Sequence, residues 1–231
     1  FFTICGIVLS IFALLPYYSM GSMSTHNTAG IFTKNVLIPG EYLFENLGKI
    51  LRSNMFRFYG NSLKIAIIST AVSIFISSTA GYALGKLDFK GKKFIMRSIL
   101  MVMMVPAYLG LIGYIKEMGM LGMTKTHIPL ILIWFANPFG VYWMTNFIED
   151  KVPDEVLESA RIDGSNEFRT FWIIVIPYIK PALITIALLI FLGSWNLYLM
   201  PLILINKVEL YTVPLAINLL DPDINVADIG A

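Results

Sequence analysis

The side chains best able to do chemistry in this sequence are gathered in one charged stretch, Pro153 to Pro181, lodged between two long apolar runs. The residue types there suit recognition in the water phase more than bond making. Pro153 and Asp154 form a helix start, with the Asp154 carboxylate placed to cap the free amides of the first turn. Glu155 and Glu158 follow near the positive end of the helix dipole. Val156, Leu157, Ala160 and Ile162 supply an apolar contact surface. Gly164 is a natural stop, because glycine accepts the left-handed conformation that ends a helix. Ser165 is then placed to cap a second helix carrying Phe168, Phe171, Trp172, Ile173 and Ile176, which Pro177 ends. The product is a short helix, a sharp turn and a second helix returning toward an apolar run. Two readings stay open on these residues alone: a docking elbow for a soluble partner, and an interfacial hairpin lying on lipid headgroups.

Catalytic chemistry is not visible elsewhere. No Asp, Glu, Lys, Arg or His falls in the middle of the four later apolar runs. Ion-driven carriers keep an ionisable group at such depth, and a membrane-embedded hydrolase needs an acid–base or metal set there. Gly81 and Gly85 before Lys86 have the wrong spacing for a phosphate loop, and Leu87 stands where Ser or Thr is needed. No catalytic, cofactor-binding or metal-binding residue is assigned, and the chain has no means of powering work by itself. His26 and His127 are expected as ordinary polar surface residues, and the single cysteine, Cys5, as a small residue within a span. The formal charge of +2 gives no reason to expect a nucleic-acid partner.

The elements that must carry the charged stretch are membrane spans. The chain is 57% hydrophobic and 14% charged, with a mean hydropathy of +0.73, whereas soluble domains carry about 25% charged residues. A span needs about 20 apolar residues, and five stretches qualify: Phe2–Ser19, Leu63–Gly85, Ile99–Ile115, Ile128–Ile148 and Ala182–Ile205. Residues 20–60 read as a loop with one short helix near Leu43–Leu51. Lys86, Lys90, Lys92, Lys93 and Arg97 concentrate in one short loop, and Lys151, Arg161, Arg169 and Lys180 in the 149–180 segment. Both therefore face the cytoplasm and the remaining loops face outside. Ser69, Ser73, Ser77, Gly81 and Gly85 recur every fourth residue, a stripe that lets another helix approach closely. Pro106, Asn137-Pro138, Gly140, Gly193 and Pro201 interrupt the later spans, as kinked helices around a cavity do. The chain starts at Phe1 inside an apolar run and stops at Ala231 after a polar stretch, and is read as a piece of a longer one.

Aromatic rings stack on flat apolar faces, and neutral amides serve polar groups without a charge. Trp195, Asn196 and Tyr198, with Asn137 in the preceding span, are the candidates for a substrate path. The same types also mark the membrane interface or glue helices together. The outer stretch 206–231 holds Thr212, Pro214 and Asn218, and its acidic Asp221, Asp223 and Asp228 read as a solvated loop.

The charged stretch resembles the cytoplasmic loop signature of binding-protein-dependent ABC importer permeases: Glu-Ala-Ala, three residues, Gly, nine residues, Ile, one residue, Leu-Pro. Glu158, Ser159 and Ala160 stand at the first three positions, Gly164 at the glycine, Ile174 at the isoleucine and Ile176-Pro177 at the end. Ser159 and Ile176 are conservative departures. The fuller run through Asp163, with Pro177, Pro181 and Gly193-Ser194-Trp195-Asn196, is similar to the carbohydrate-uptake subset and to maltose-permease-like second membrane subunits, best over residues 58–214. The resemblance implies an all-α polytopic bundle of the type I importer kind, with a sixth span beyond residue 231. Residues 1–57 would be a first span and outer loop, and 58–231 the permease core with a coupling segment at 150–180. It also implies a cell-membrane location and a chain that is not itself an enzyme. Expected partners are a second, different permease, two cytoplasmic ATPase subunits that hold ATP and Mg, and an external solute-binding protein. Glu158, Ser159, Ala160, Asp163, Gly164, Ile174 and Pro177 would form the ATPase-coupling set. A non-sugar solute, an integral membrane enzyme and a membrane scaffold are the alternatives. A buried acid, base or metal cluster would mark the enzyme.

Overall fold

Pro106, Asn137-Pro138 and Pro153 each stand where a helix of this chain begins, while Pro16, Pro181 and Pro201 lie inside helices. The computed structural model describes residues 2–33 and 35–219, and contains helices and turns with no strand among them. It divides into two units, one running to Phe56 and one from Arg57.

In the first unit, α1 (Phe2–Met23) is apolar on all sides, α2 (Thr28–Thr33) is short, and α3 (Leu43–Arg52) is strongly two-faced. Glu45 and Lys49 pair one turn apart at 3.0 Å on the polar side of α3. His26 is buried, with Nε2 2.9 Å from the Ile38 carbonyl oxygen. The expectation of a surface histidine is corrected: its ring satisfies a carbonyl that no helix ladder reaches. Asn46 donates to the carbonyls of Ser24 and His26, both at 2.9 Å.

The second unit is built on α4 (Met55–Lys86), whose two leading residues lie at the boundary. After it come α5 (Lys92–Met103), α6 (Leu111–Met120), α7 (Ile128–Leu132), α8 (Pro138–Lys151), α9 (Asp154–Ile162), α10 (Glu167–Thr170), α11 (Ile176–Trp195), α12 (Leu199–Leu204) and α13 (Val213–Leu219). Among the described residues, three helical stretches are long and apolar enough to cross a bilayer: Cys5–Met23, Met55–Lys86 and Glu167–Trp195. The expected spans Ile99–Ile115 and Ile128–Ile148 are each broken. The first turns by 87° between Lys92–Met103 and Tyr108–Met120. Pro106 is extended at the break (φ −57°, ψ 127°). The second is interrupted before Pro138, which pushes Asn137 into an extended conformation (φ −102°, ψ 90°).

The last expected span is displaced toward the N-terminus. It begins at Glu167, ends at Trp195, and is followed by the separate helix α12. Pro177 does not end a helix, contrary to expectation. A π turn over Phe171–Val175 precedes it, with the Ile176 amide donating to the Phe171 carbonyl. The wider turn makes room for the proline ring, which would otherwise press on the preceding carbonyl, so the helix runs on.

The small-residue stripe is used as its spacing predicts. A Cβ added at Gly81 would lie 2.7 Å from Met144 Cβ and 3.0 Å from the Thr145 nitrogen; one added at Gly140 would lie 2.5 Å from Ser77 Oγ. Helix α8 thus lies almost backbone to backbone on α4. Tyr82, Met144, Ile148, Leu157, Phe171 and Ile179 belong to one core cluster, and Ile65, Leu130, Met200 and Leu215 to another.

Both loops predicted to share the cytoplasmic side meet: Lys86 Nζ is 2.8 Å from Asp154 Oδ1 and donates to the Glu149 carbonyl at 3.2 Å. Segments assigned to the other side also meet each other. Asn61 donates to the carbonyls of Glu209 and Tyr211, and His127 Nε2 is 2.9 Å from the Leu210 oxygen. His127 is buried, again not at the surface, and burial lowers its pKa. The outer stretch is not all loop: Thr212, Val213, Leu215 and Ala216 are buried, so Thr212 does not face outward. Asp221, Asp223 and Asp228 lie outside the described residues.

Candidate functional site

The charged stretch folds as a helical elbow. Helix α9 starts after Pro153, which is extended and offers no side-chain cap. Asp154 was expected as the cap; it instead stands in the first turn and pairs with Lys86. The far end closes as foreseen, with Gly164 at φ +77°. The Ser165 amide donates to the Ala160 carbonyl at 2.9 Å and the Gly164 amide to the Arg161 carbonyl at 3.1 Å, a double closure of the last turn. The cap of α10 is Asn166, which accepts from the Arg169 amide at 2.8 Å, and not Ser165, whose Oγ meets Thr170 Oγ1 at 3.0 Å. An amide oxygen reaches the third amide of a helix better from the residue immediately before it.

Helical spacing sorts the elbow into two faces. Leu157 turns inward into the cluster that holds Ile148, Val152 and Val175, and Ala160 is buried on the same side of the helix. Ala160 therefore belongs to the core, not to the exposed contact surface expected for it. Glu155, Glu158, Ser159, Ile162 and Asp163 turn outward. Ser159 Oγ donates back to the Glu155 carbonyl at 2.8 Å. Two large apolar side chains stand in the open at the tip, Ile162 at 86% exposed and Phe168 at 73%. Ile174 is half-buried against the core cluster, and Pro177 is exposed. Arg161 Nε donates to Glu167 Oε1 at 2.9 Å, which favours the charged form of the guanidinium and raises its pKa further.

A second feature lies toward the opposite end of the same unit. A cavity of about 540 Å³ is lined by Tyr108, Trp134, Gly193, Asn196, Tyr198 and neighbouring aliphatic side chains. Gly193 makes room for Trp134, since an added Cβ would lie 2.7 Å from the indole. Asn196 and Tyr198 of the expected path reach this cavity. Trp195 does not line it; its ring stacks on Phe191 at 5.9 Å and tilts against Tyr59 at 6.0 Å. Asn137 does not line it either. Its Oδ1 accepts from the Gly140 amide at 3.0 Å and caps α8, and its Nδ2 points to Ser73 Oγ at 3.5 Å. Asn137→Ala is therefore expected to lower stability by about 1 kcal/mol, read as a fall in melting temperature of the purified assembly. The sequence reading left out Tyr108. Only the 87° turn brings it to α12, although the Pro106 break was a usable signal. Among the described residues no group of three His, Cys, Asp or Glu side chains is placed to hold a metal.

Comparison with known proteins agrees with this architecture. Residues 73–226 match the family described as binding-protein-dependent transport system inner membrane component. The chain is 31% identical over 226 residues to the arabinooligosaccharides transport system permease protein AraQ of Bacillus subtilis (strain 168), covering 95% of this chain and 80% of that one. It is 30% identical to the trehalose transport system permease protein SugB of Mycobacterium tuberculosis (strain CDC 1551 / Oshkosh), covering 89% and 76%. Among solved structures, a bacterial ABC transporter involved in the import of the acidic polysaccharide alginate superposes with a TM-score of 0.81. The identity there is 30%, over 99% of this chain and 83% of the other. An all-helical membrane chain, an elbow with the signature spacing and these likenesses converge: the chain belongs to the binding-protein-dependent transport system inner membrane components, as a cell-membrane permease subunit of an ABC importer that leaves ATP hydrolysis to other subunits.

Proposed function

We propose that this permease carries a sugar or oligosaccharide and is driven through its elbow by a cytoplasmic ATPase subunit. The observation that carries the driving role is the outward face of α9. Glu158, Ser159, Ile162 and Asp163 stand free on a helix whose other face is locked into the core, with Gly164 fixing the exit angle. An exposed apolar tip ringed by carboxylates is a docking surface, because isolated large apolar side chains at such a turn gain by burial in a partner. Ser159 is small enough to let the partner's cleft close on the helix. ATP and Mg belong to two ATPase subunits. Their closure around nucleotide moves the elbow, and the broken helices transmit that movement to the cavity. A second, different permease and an external solute-binding protein complete the assembly.

The solute class rests on two supports. Relatives are named for arabinooligosaccharides, trehalose and alginate, and the cavity presents Tyr108, Trp134 and Tyr198 with the neutral amide of Asn196. Rings of this kind stack on sugar faces while an amide serves hydroxyls without a charge. Tyr108→Ala and Tyr198→Ala are each expected to slow uptake of the preferred solute about three- to tenfold. Their effect on the ATPase interaction should be small. Copurification with an ATPase and a second permease tests the assembly, and a ligand screen of the linked binding protein tests the solute class. A binding protein that takes only amino acids or phosphate would overturn the sugar reading and leave the driving role standing.

A further inference from the structure

Helix α9 is tied to α4 at both ends. At its start Asp154 pairs with Lys86, whose side chain is only 6% exposed. At its finish Arg161 donates to Glu167 Oε1 at 2.9 Å, and the buried Tyr82 hydroxyl donates to Glu167 Oε2. Tyr82 and Lys86 are four residues apart, so one face of the last turns of α4 receives both ties. Glu167 also opens α10, directly before the π turn at Phe171–Val175, and Tyr82 packs on Phe171 with ring centroids 5.7 Å apart.

We propose that Glu167 is a positioning residue for energy coupling, a clamp that joins the elbow to α4 so that movement of α9 becomes movement of the span. The half-exposed Arg161–Glu167 pair contributes little stability, because solvent screens it. Its value is geometric. One carboxylate with two oxygens fixes two donors from different elements, and a buried Tyr82 hydroxyl has no reason to face this way without it. A π turn immediately after the clamp offers a register that can slip, so the same push bends the start of α11.

This inference rests on the driving role proposed above for the elbow. The test uses the complete transporter with its binding protein in lipid nanodiscs. Cys5→Ser and Asn196→Cys provide one reporter thiol in the cavity, labelled with a membrane-impermeant maleimide with and without ATP and vanadate. The expected result is an ATP-dependent labelling rate in this parent that falls about tenfold in its response in Glu167→Ala and in Arg161→Glu. The double variant Arg161→Glu/Glu167→Arg restores the ion pair but not the carboxylate that accepts from Tyr82, and should recover the response to the level of Tyr82→Phe, above either single variant. Tyr82→Phe removes one hydroxyl and no volume, and serves where Glu167→Ala fails to assemble; it should blunt the response severalfold. An unchanged response in Glu167→Ala or Tyr82→Phe, or a double variant no better than the singles, overturns the clamp. An unchanged response in Glu158→Lys as well overturns the driving role beneath it.

Discussion

Gly164→Val is expected to cut solute uptake by the assembled transporter at least about tenfold while the chain still inserts into the membrane. The reason is conformational. Nothing lies within 4 Å of a Cβ added at Gly164, so there is no clash to relieve. The backbone sits at φ +77°, where a side chain costs about 1–2 kcal/mol and a β-branched one more. A valine at this position would drive the turn toward negative φ and break the double closure on Ala160 and Arg161. The exit angle of α9 would change, and with it the direction in which Ile162 and Glu158 point. Glu158→Lys is the matching change of charge with no change of backbone. Uptake, ATP hydrolysis and the amount of chain in the membrane fraction are measured together. Loss of uptake with retained hydrolysis and insertion is the predicted pattern, and normal uptake by both variants would count against a docking role for the elbow.

Gly81→Leu is expected to have the largest effect on stability. Here the problem is space. The added Cβ alone would lie 2.7 Å from Met144 Cβ and 3.0 Å from backbone atoms of Met144 and Thr145. Met144 is fully buried and backbone cannot swing aside, so α8 must leave α4. A loss of about 3 kcal/mol or more is expected, seen as failure to copurify with partner subunits and as rapid degradation. Gly85→Ala is the graded control. Its Cβ would meet the Thr145 oxygen at 3.3 Å and the Glu149 side chain at 3.4 Å, a contact that small shifts relieve. Gly81→Leu behaving like Gly85→Ala would show that α4 and α8 are not packed this closely.

The elbow was legible in the sequence because its signals are local. A glycine shortly after the Glu158-Ser159-Ala160 triplet stops a helix wherever the chain is placed, and the basic loop sets sidedness by composition. The stripe on α4 was legible for the same reason, since periodicity of four names a face without naming what covers it. Asn137 shows the limit: its type suits a solute path, and only the neighbouring Gly140 amide, brought near by the turn before Pro138, reveals a helix cap. Ala160 shows it too: it is buried beside Leu157, and which face of α9 points inward depends on where Ile148 and Val175 stand against Leu157.

What the sequence determined by itself is therefore the membrane class, the elbow and its turn, and the interruptions at Pro106 and Pro138, each governed by interactions within a few residues; Gly140, Gly193 and Pro201, expected as interruptions too, lie inside helices. Only the tertiary structure decided that the run broken at Pro106 turns by 87°, that a π turn carries the chain past Pro177, that Tyr108 joins Tyr198 at one cavity, and that Tyr82 and Arg161 share Glu167. Those outcomes depend on contacts between residues far apart in the chain. The energy of such contacts is set by the packing of whole helices against one another, which no local pattern encodes.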